Sequence, residues 1–177
     1  MRKAAVWILA LALLMTFAAV PVMATPTKGQ KVPVEEYITG FLFELPPVRD
    51  WETKGGIYQM RGYQEAYTVI FYVGDPPYAS YEFNHYMVGD GSWNTKTGVF
   101  VGHFDILWTL IGDDSSGFSG NMEMRAYDFD LYAGTWSWWI AHEVAQGFGD
   151  FAGQTLMLSM DGPMDMTAPW TGYLLKG

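Results

Sequence analysis

Beyond the first two dozen residues, apolar and polar positions alternate with period 2 and are interrupted about every ten residues by clusters of Gly, Asp, Asn and Pro. This is how antiparallel strands and their turns read, and no later stretch keeps a helical period. The runs are Gly56–Arg61, Ala66–Val73, Tyr78–Val88, Gly98–Ile111, one around Met122–Leu131, Thr135–Gln146, Gln154–Met160 and Trp170–Leu175. Gly89-Asp90-Gly91 and Gly112-Asp113-Asp114-Ser115-Ser116-Gly117 read as turns between them.

The clearest run places Phe100, Gly102, Phe104, Ile106, Trp108 and Leu110 on one face, the expected core side, with His103 and Asp105 opposite. The next changes phase, from Met122, Met124 and Ala126 to Tyr127, Phe129 and Leu131, which predicts a β-bulge near Ala126. In Thr135–Gln146, Trp136, Trp138, Ile140, His142 and Val144 alternate with Ser137, Trp139, Ala141, Glu143 and Ala145. Eight or so such strands leave a closed barrel, a jelly roll or a sandwich. The chain is therefore expected to be all-β, a small closed antiparallel barrel of about eight strands.

The leader differs in kind. Arg2 and Lys3 precede an apolar run from Val6 to Val20, and Val22-Met23-Ala24 fits the small-x-small cleavage rule. Residues 1–24 are expected to be a signal peptide, with export to the cell surface or the medium; a retained anchor is the competing reading, since the stretch from Ala4 to Ala24, interrupted only by Thr16 and Pro21, is about long enough to span a bilayer. Residues 25–47 read as a Pro-bearing tether with a first strand in Ile38–Leu45, and residues 48–177 as the barrel domain. With no cysteine, disulfides and an N-terminal lipid-anchored Cys are both excluded.

Charge narrows the partners. The sequence holds 10 Lys and Arg against 19 Asp and Glu, and two of the cations, Arg2 and Lys3, belong to the leader, so the remainder carries a net charge of −11. Such a balance argues against nucleic acid. A membrane partner is expected only through a retained anchor, and an acidic barrel with an aromatic edge is able to dimerise. Aromatic residues make up 17% of the chain, with 8 Trp, which places some rings at a cavity, surface or interface.

A glycine-aromatic unit recurs, in Gly98-Val99-Phe100-Val101-Gly102-His103-Phe104, Gly117-Phe118-Ser119-Gly120, Gly147-Phe148-Gly149-Asp150-Phe151-Ala152-Gly153-Gln154 and Trp170-Thr171-Gly172-Tyr173. Glycines permit close backbone approach at the ends of a small barrel, and the neighbouring ring can plug the end. Through Asn94-Thr95-Lys96-Thr97-Gly98, the unit Gly147–Gln154 and Gly172-Tyr173-Leu174-Leu175, the chain resembles the allene oxide cyclase-like (dirigent-like) barrels found in uncharacterised secreted proteins of archaea and bacteria. The likeness covers about Lys54–Gly177. It implies a barrel related to proteins that handle apolar or radical intermediates in a cavity without a cofactor; it carries over no catalytic residue, because the matching positions are turns and core.

Candidate chemistry is sparse. His85, His103 and His142, with Asp105 and Glu143, lack a ligand spacing, so no metal is expected. No serine nucleophile setting occurs, and the acidic turns 113–116 and 161–165 lack a full calcium-loop pattern. His142 is the leading cavity candidate, in phase with Trp136 and Trp138. Glu123 and Arg125 share one face, which reads as an anion holder or general acid if inward and as a solvated pair if outward, the outward reading being favoured; Arg61 and Asp105 are able to join that charged group. The expected ligand-binding set is thus His142, Trp138, Trp136, Glu123 and Arg125. The expected role is binding of an apolar or amphipathic small molecule, or a surface interaction module, without a cofactor. Alternatives are a cofactor-free isomerase or cyclase and a carbohydrate binder using Trp136, Trp139 or Trp170.

Overall fold

The computed structural model describes residues 29–76, 78–130, 133, 135–163 and 167–177. The expected signal peptide therefore lies outside the described residues, as do Leu131, Met164 and Asp165.

The strands are β1 (Lys31–Leu45), β2 (Arg49–Glu52), β3 (Ile57–Val73), β4 (Ala79–Asn94), β5 (Val99–Leu110), β6 (Asp113–Tyr127), β7 (Trp138–Phe148), β8 (Gln154–Pro163) and β9 (Trp170–Lys176). Each of β3 to β9 pairs antiparallel with its neighbour in sequence, and β1 pairs with both β9 and β3. This closes an eight-stranded antiparallel barrel, with β2 added outside it on β3. Closure leaves no edge between β1 and β9 over Lys31–Glu36. Beyond Glu36, β1 pairs only with β3.

The segment read as a tether is thus largely a barrel strand, which begins at Lys31 rather than Ile38. Gly89-Asp90-Gly91 does not turn the chain: β4 runs straight through it, because Asp90 holds the partner strand. Its Oδ1 accepts the Gly62 N–H at 3.1 Å, and its Oδ2 is paired with the Arg61 guanidinium. Gly62, at φ +67°, sits in the register shift between Met60 and Tyr63, so both of these side chains line the barrel interior where strict alternation would have separated them. Gly56–Arg61 and Ala66–Val73 are consequently one strand.

One turn narrows and one expected bulge is absent. The β5–β6 turn is tight, at Ile111-Gly112, and Asp113–Gly117 belongs to β6. Pairing of β6 with β5 shifts register between Asp113 and Gly117 and is regular from Gly117 through Ala126, so the irregularity lies at the start of β6 and there is no bulge at Ala126. The phase changes because β6 ends at Tyr127 and Asp128 adopts φ 51°. The Phe129 N–H then bonds the Gly98 carbonyl at 2.7 Å, which directs the ring back over the barrel end.

The two ends are built differently. At one, a short 3-10 turn, Gly149–Phe151, folds Phe151 in against Phe83, Phe118 and Tyr81, at centroid separations of 5.6, 4.8 and 5.7 Å. A Cβ at Gly147 would collide with the Phe151 carbonyl, so glycine permits this plug. At the other end, Phe100, Phe129, Trp136, Trp139 and Trp170 form a chain of rings with successive centroids 4.8, 6.2, 5.7 and 5.2 Å apart. The core face expected for β5 is observed: Phe100, Phe104, Ile106 and Trp108 are buried.

Candidate functional site

Between the Phe151 plug and the ring chain lies a cavity of about 600 Å³. Apolar surface dominates its wall, through Met60, Met87, Met122 and Met124 and the aromatic rings. Thioethers adapt their shape to what they contact, and aromatic faces supply rigid area.

β1, β4 and β7 bring three ionisable side chains to this wall: Glu36, His85 and Glu143. Glu36 and Glu143 are 2% and 1% exposed. His85 Nδ1 lies 3.7 Å from Glu36 Oε1, and its ring stacks on Trp108 with centroids 4.5 Å apart and an interplanar angle of 19°. Burial raises the Glu36 carboxyl to about 8, an effect that the Trp108 indole opposes, and burial lowers His85 to about 3. Glu143 is likewise pushed well up, by burial and then by the neighbouring Glu36. At neutral pH the group is therefore predominantly uncharged, two carboxylic acids beside a neutral imidazole.

Polar atoms here lack partners. Both Glu143 carboxyl oxygens, Glu36 Oε2, His85 Nε2 and the indole nitrogens of Trp108, Trp136 and Trp139 are buried without a hydrogen bond. The Trp108 indole nitrogen faces Glu36 but falls short of hydrogen-bond geometry. Orphaned buried polar groups cost on the order of 1–3 kcal/mol each, so the cavity gathers hydrogen-bonding capacity that the described residues leave unsatisfied.

Nearer the mouth, Tyr63 donates to Glu65 Oε2 at 2.7 Å, with Tyr67 beside them. Burial and Glu65 raise both phenols, and burial raises Glu65 itself. Glu44, Asp50, Phe41, Pro46 and Pro47 complete the rim. Close to it the half of β1 that pairs only with β3 exposes Phe41, Leu42, Phe43 and Leu45, and Val48 follows. An exposed apolar strip beside an apolar cavity provides a contact surface for an apolar molecule.

Of the expected ligand-binding set, Trp136 alone lines the cavity. His85 and Glu143, which the sequence offered only as metal candidates, line it too, as do Trp139 and Trp170, which it offered for sugar stacking. His142 is exposed, because the inward face of β7 is Trp139, Ala141, Glu143 and Ala145, opposite to the phase assigned to it. Trp138 is 44% exposed and donates from its indole to Asp161 at 2.8 Å. Glu123 and Arg125 point outward, as favoured, and Glu123 faces His103 at 3.6 Å. Arg61 joins Asp90 instead. His103 and Asp105 are exposed as well, and no group able to hold a metal ion occurs among the described residues.

Comparison with protein-family models, with curated proteins and with solved structures finds no match.

Proposed function

We propose that this barrel is a binding protein that takes an apolar or amphipathic small molecule into its cavity. The observation that carries the reading is the cavity itself: about 600 Å³, walled by methionines and aromatic rings and furnished with buried polar atoms that no group among the described residues satisfies. Ligand sites commonly combine an apolar wall with a few convergent polar groups, and this volume lies within their usual range. Export and the likeness to allene oxide cyclase-like barrels are in keeping with this role. Native mass spectrometry of the protein, before and after denaturation, tests it. A small molecule released only on denaturation is the expected result; a bare chain that also takes up no added decanol would refute the reading.

A second reading, a cofactor-free isomerase or cyclase, is favoured by one observation. A carboxylic acid with its pKa near 8 stands 3.7 Å from a neutral imidazole, a pair suited to moving a proton on a bound molecule. Carbohydrate stacking on an exposed tryptophan row has less support, since Trp139 and Trp170 are buried.

A further inference from the structure

The chemistry of the wall bears on which amphipathic molecule fits, an inference that rests on the proposed binding role. Among the described residues, five carboxyl groups line the cavity, from Glu36, Glu44, Asp50, Glu65 and Glu143, and neither Lys nor Arg does. Around them stand the rings of Phe100, Phe104, Phe129, Trp136, Trp139 and Trp170. Carboxyl groups attract a cation, and ring faces attract it through their quadrupoles. The geometry points to an organic ammonium carrying an apolar chain as the ligand class, with its charged head at Glu36 and Glu143 and its chain along the methionines and rings.

Competing head groups fare worse. An anion would meet five acidic groups without a compensating cation. A neutral carbonyl can only accept, and a hydroxyl has one proton to donate, so it would pair at most one of the orphaned carboxyl oxygens of Glu36 and Glu143; neither brings a charge to favour the ionised form. An ammonium offers Glu36 and Glu143 the counter-charge that no described side chain supplies there. Its arrival favours the ionised carboxylate, so a proton leaves the site as the cation enters.

The groups facing Glu36 and Glu143 are His85 on β4 and Trp108 on β5, with Glu65, Tyr63 and Tyr67 of β3 and Glu44 toward the mouth. None of them is a cation at neutral pH: His85 is held neutral, and the two phenols are raised. Affinity for a permanently charged ammonium is therefore expected to rise with pH up to about 8, where Glu36 is half ionised in the empty barrel.

Calorimetric titration of the full chain with three decyl probes, decyltrimethylammonium, decanol and decanoate, tests the inference. High salt is included to suppress association with the acidic exterior. The cation is expected to bind at least about tenfold more tightly than either of the others, the scale of a desolvated cation–π and ion-pair preference. Because this cation cannot titrate, proton release on its binding at neutral pH reports directly on the cavity acids of the unmodified protein. The double variant Glu36→Gln, Glu143→Gln should lose the preference and the proton release while still binding decanol, and Glu123→Gln on the exterior should change neither. Equal or tighter binding of decanol or decanoate, or cation binding without proton release, would overturn the inference and leave the binding role standing. So would a cation preference that survives in the double variant. If none of the three binds, the binding role itself falls.

Discussion

The Nδ1 atom of His85 stands 3.7 Å from Oε1 of Glu36 inside the barrel, and burial drives the two groups toward neutrality from opposite directions. His85 is lowered to about 3 and Glu36 raised to about 8, so they meet at neutral pH as imidazole and carboxylic acid rather than as an ion pair.

Stability should then depend on pH in a defined sense. A carboxyl raised from 4.5 to about 8 binds its proton in the folded chain where the unfolded chain has lost it, so Glu36 weakens the fold as pH rises through that window. Glu143 acts in the same direction. His85 opposes them between about 3 and 6.5, where the unfolded chain binds the extra proton. Above 6.5 that opposition ends, and each raised carboxyl costs about 1.4 kcal/mol per pH unit within its window. Urea-unfolding midpoints should therefore fall from pH 6.5 to 8, and Glu36→Gln should flatten the slope. A midpoint that rises over this range would contradict the assignment.

Phe151 is expected to be the stability anchor of the plugged end. Replacing it with Ala removes a buried ring packed on Phe83 and Phe118 and should cost about 3–5 kcal/mol in chemical unfolding. Gly147→Ala, whose Cβ would strike the Phe151 carbonyl, should destabilise through the same plug.

Filling the cavity should remove binding without removing the fold. Met124→Trp places a bulky ring into the space between β5 and β7. Decanol affinity should fall by at least about tenfold, a loss of about 1.4 kcal/mol, while circular dichroism keeps the strand signature. Retained affinity in the folded variant would place the ligand elsewhere.

The outward residues supply the opposite expectation. Substituting Ala for His142, Glu123 or Arg125 should leave decanol affinity unchanged and shift stability by no more than about 0.5 kcal/mol, because their side chains face solvent and the His103–Glu123 pair is exposed. A large loss of binding in any of them would mean that the ligand sits on the exterior.

These contrasts show what the sequence displays and what it hides. The face of β5 is legible because one side holds Phe100, Phe104, Ile106 and Trp108 and the other holds His103 and Asp105. β7 is not, because its outward face carries Trp138, Ile140 and Val144 while its inward face carries Ala141, Glu143 and Ala145. A narrow barrel interior takes small residues among large ones, and a cavity takes a carboxyl, so hydrophobicity selects the wrong side. Trp136 reaches the cavity from the irregular segment before β7, where strand phase has no force. Glu36 lies in a Lys-Val-Pro-Val-Glu-Glu stretch that reads as solvated tether, and only pairing of β1 with both β9 and β3 encloses it. The bulge at Gly62 is equally silent, since its partner Asp90 sits in a Gly-Asp-Gly sequence that reads as a turn.

Methionine methyl NMR during titration with decanol tests the central claim, a ligand held inside the barrel, most directly. Met60, Met87, Met122 and Met124 line the cavity, whereas Met157 is exposed on the outer face. The four cavity methyls should shift together and saturate while Met157 stays fixed. Absence of any shift, or a response led by Met157, would contradict the account.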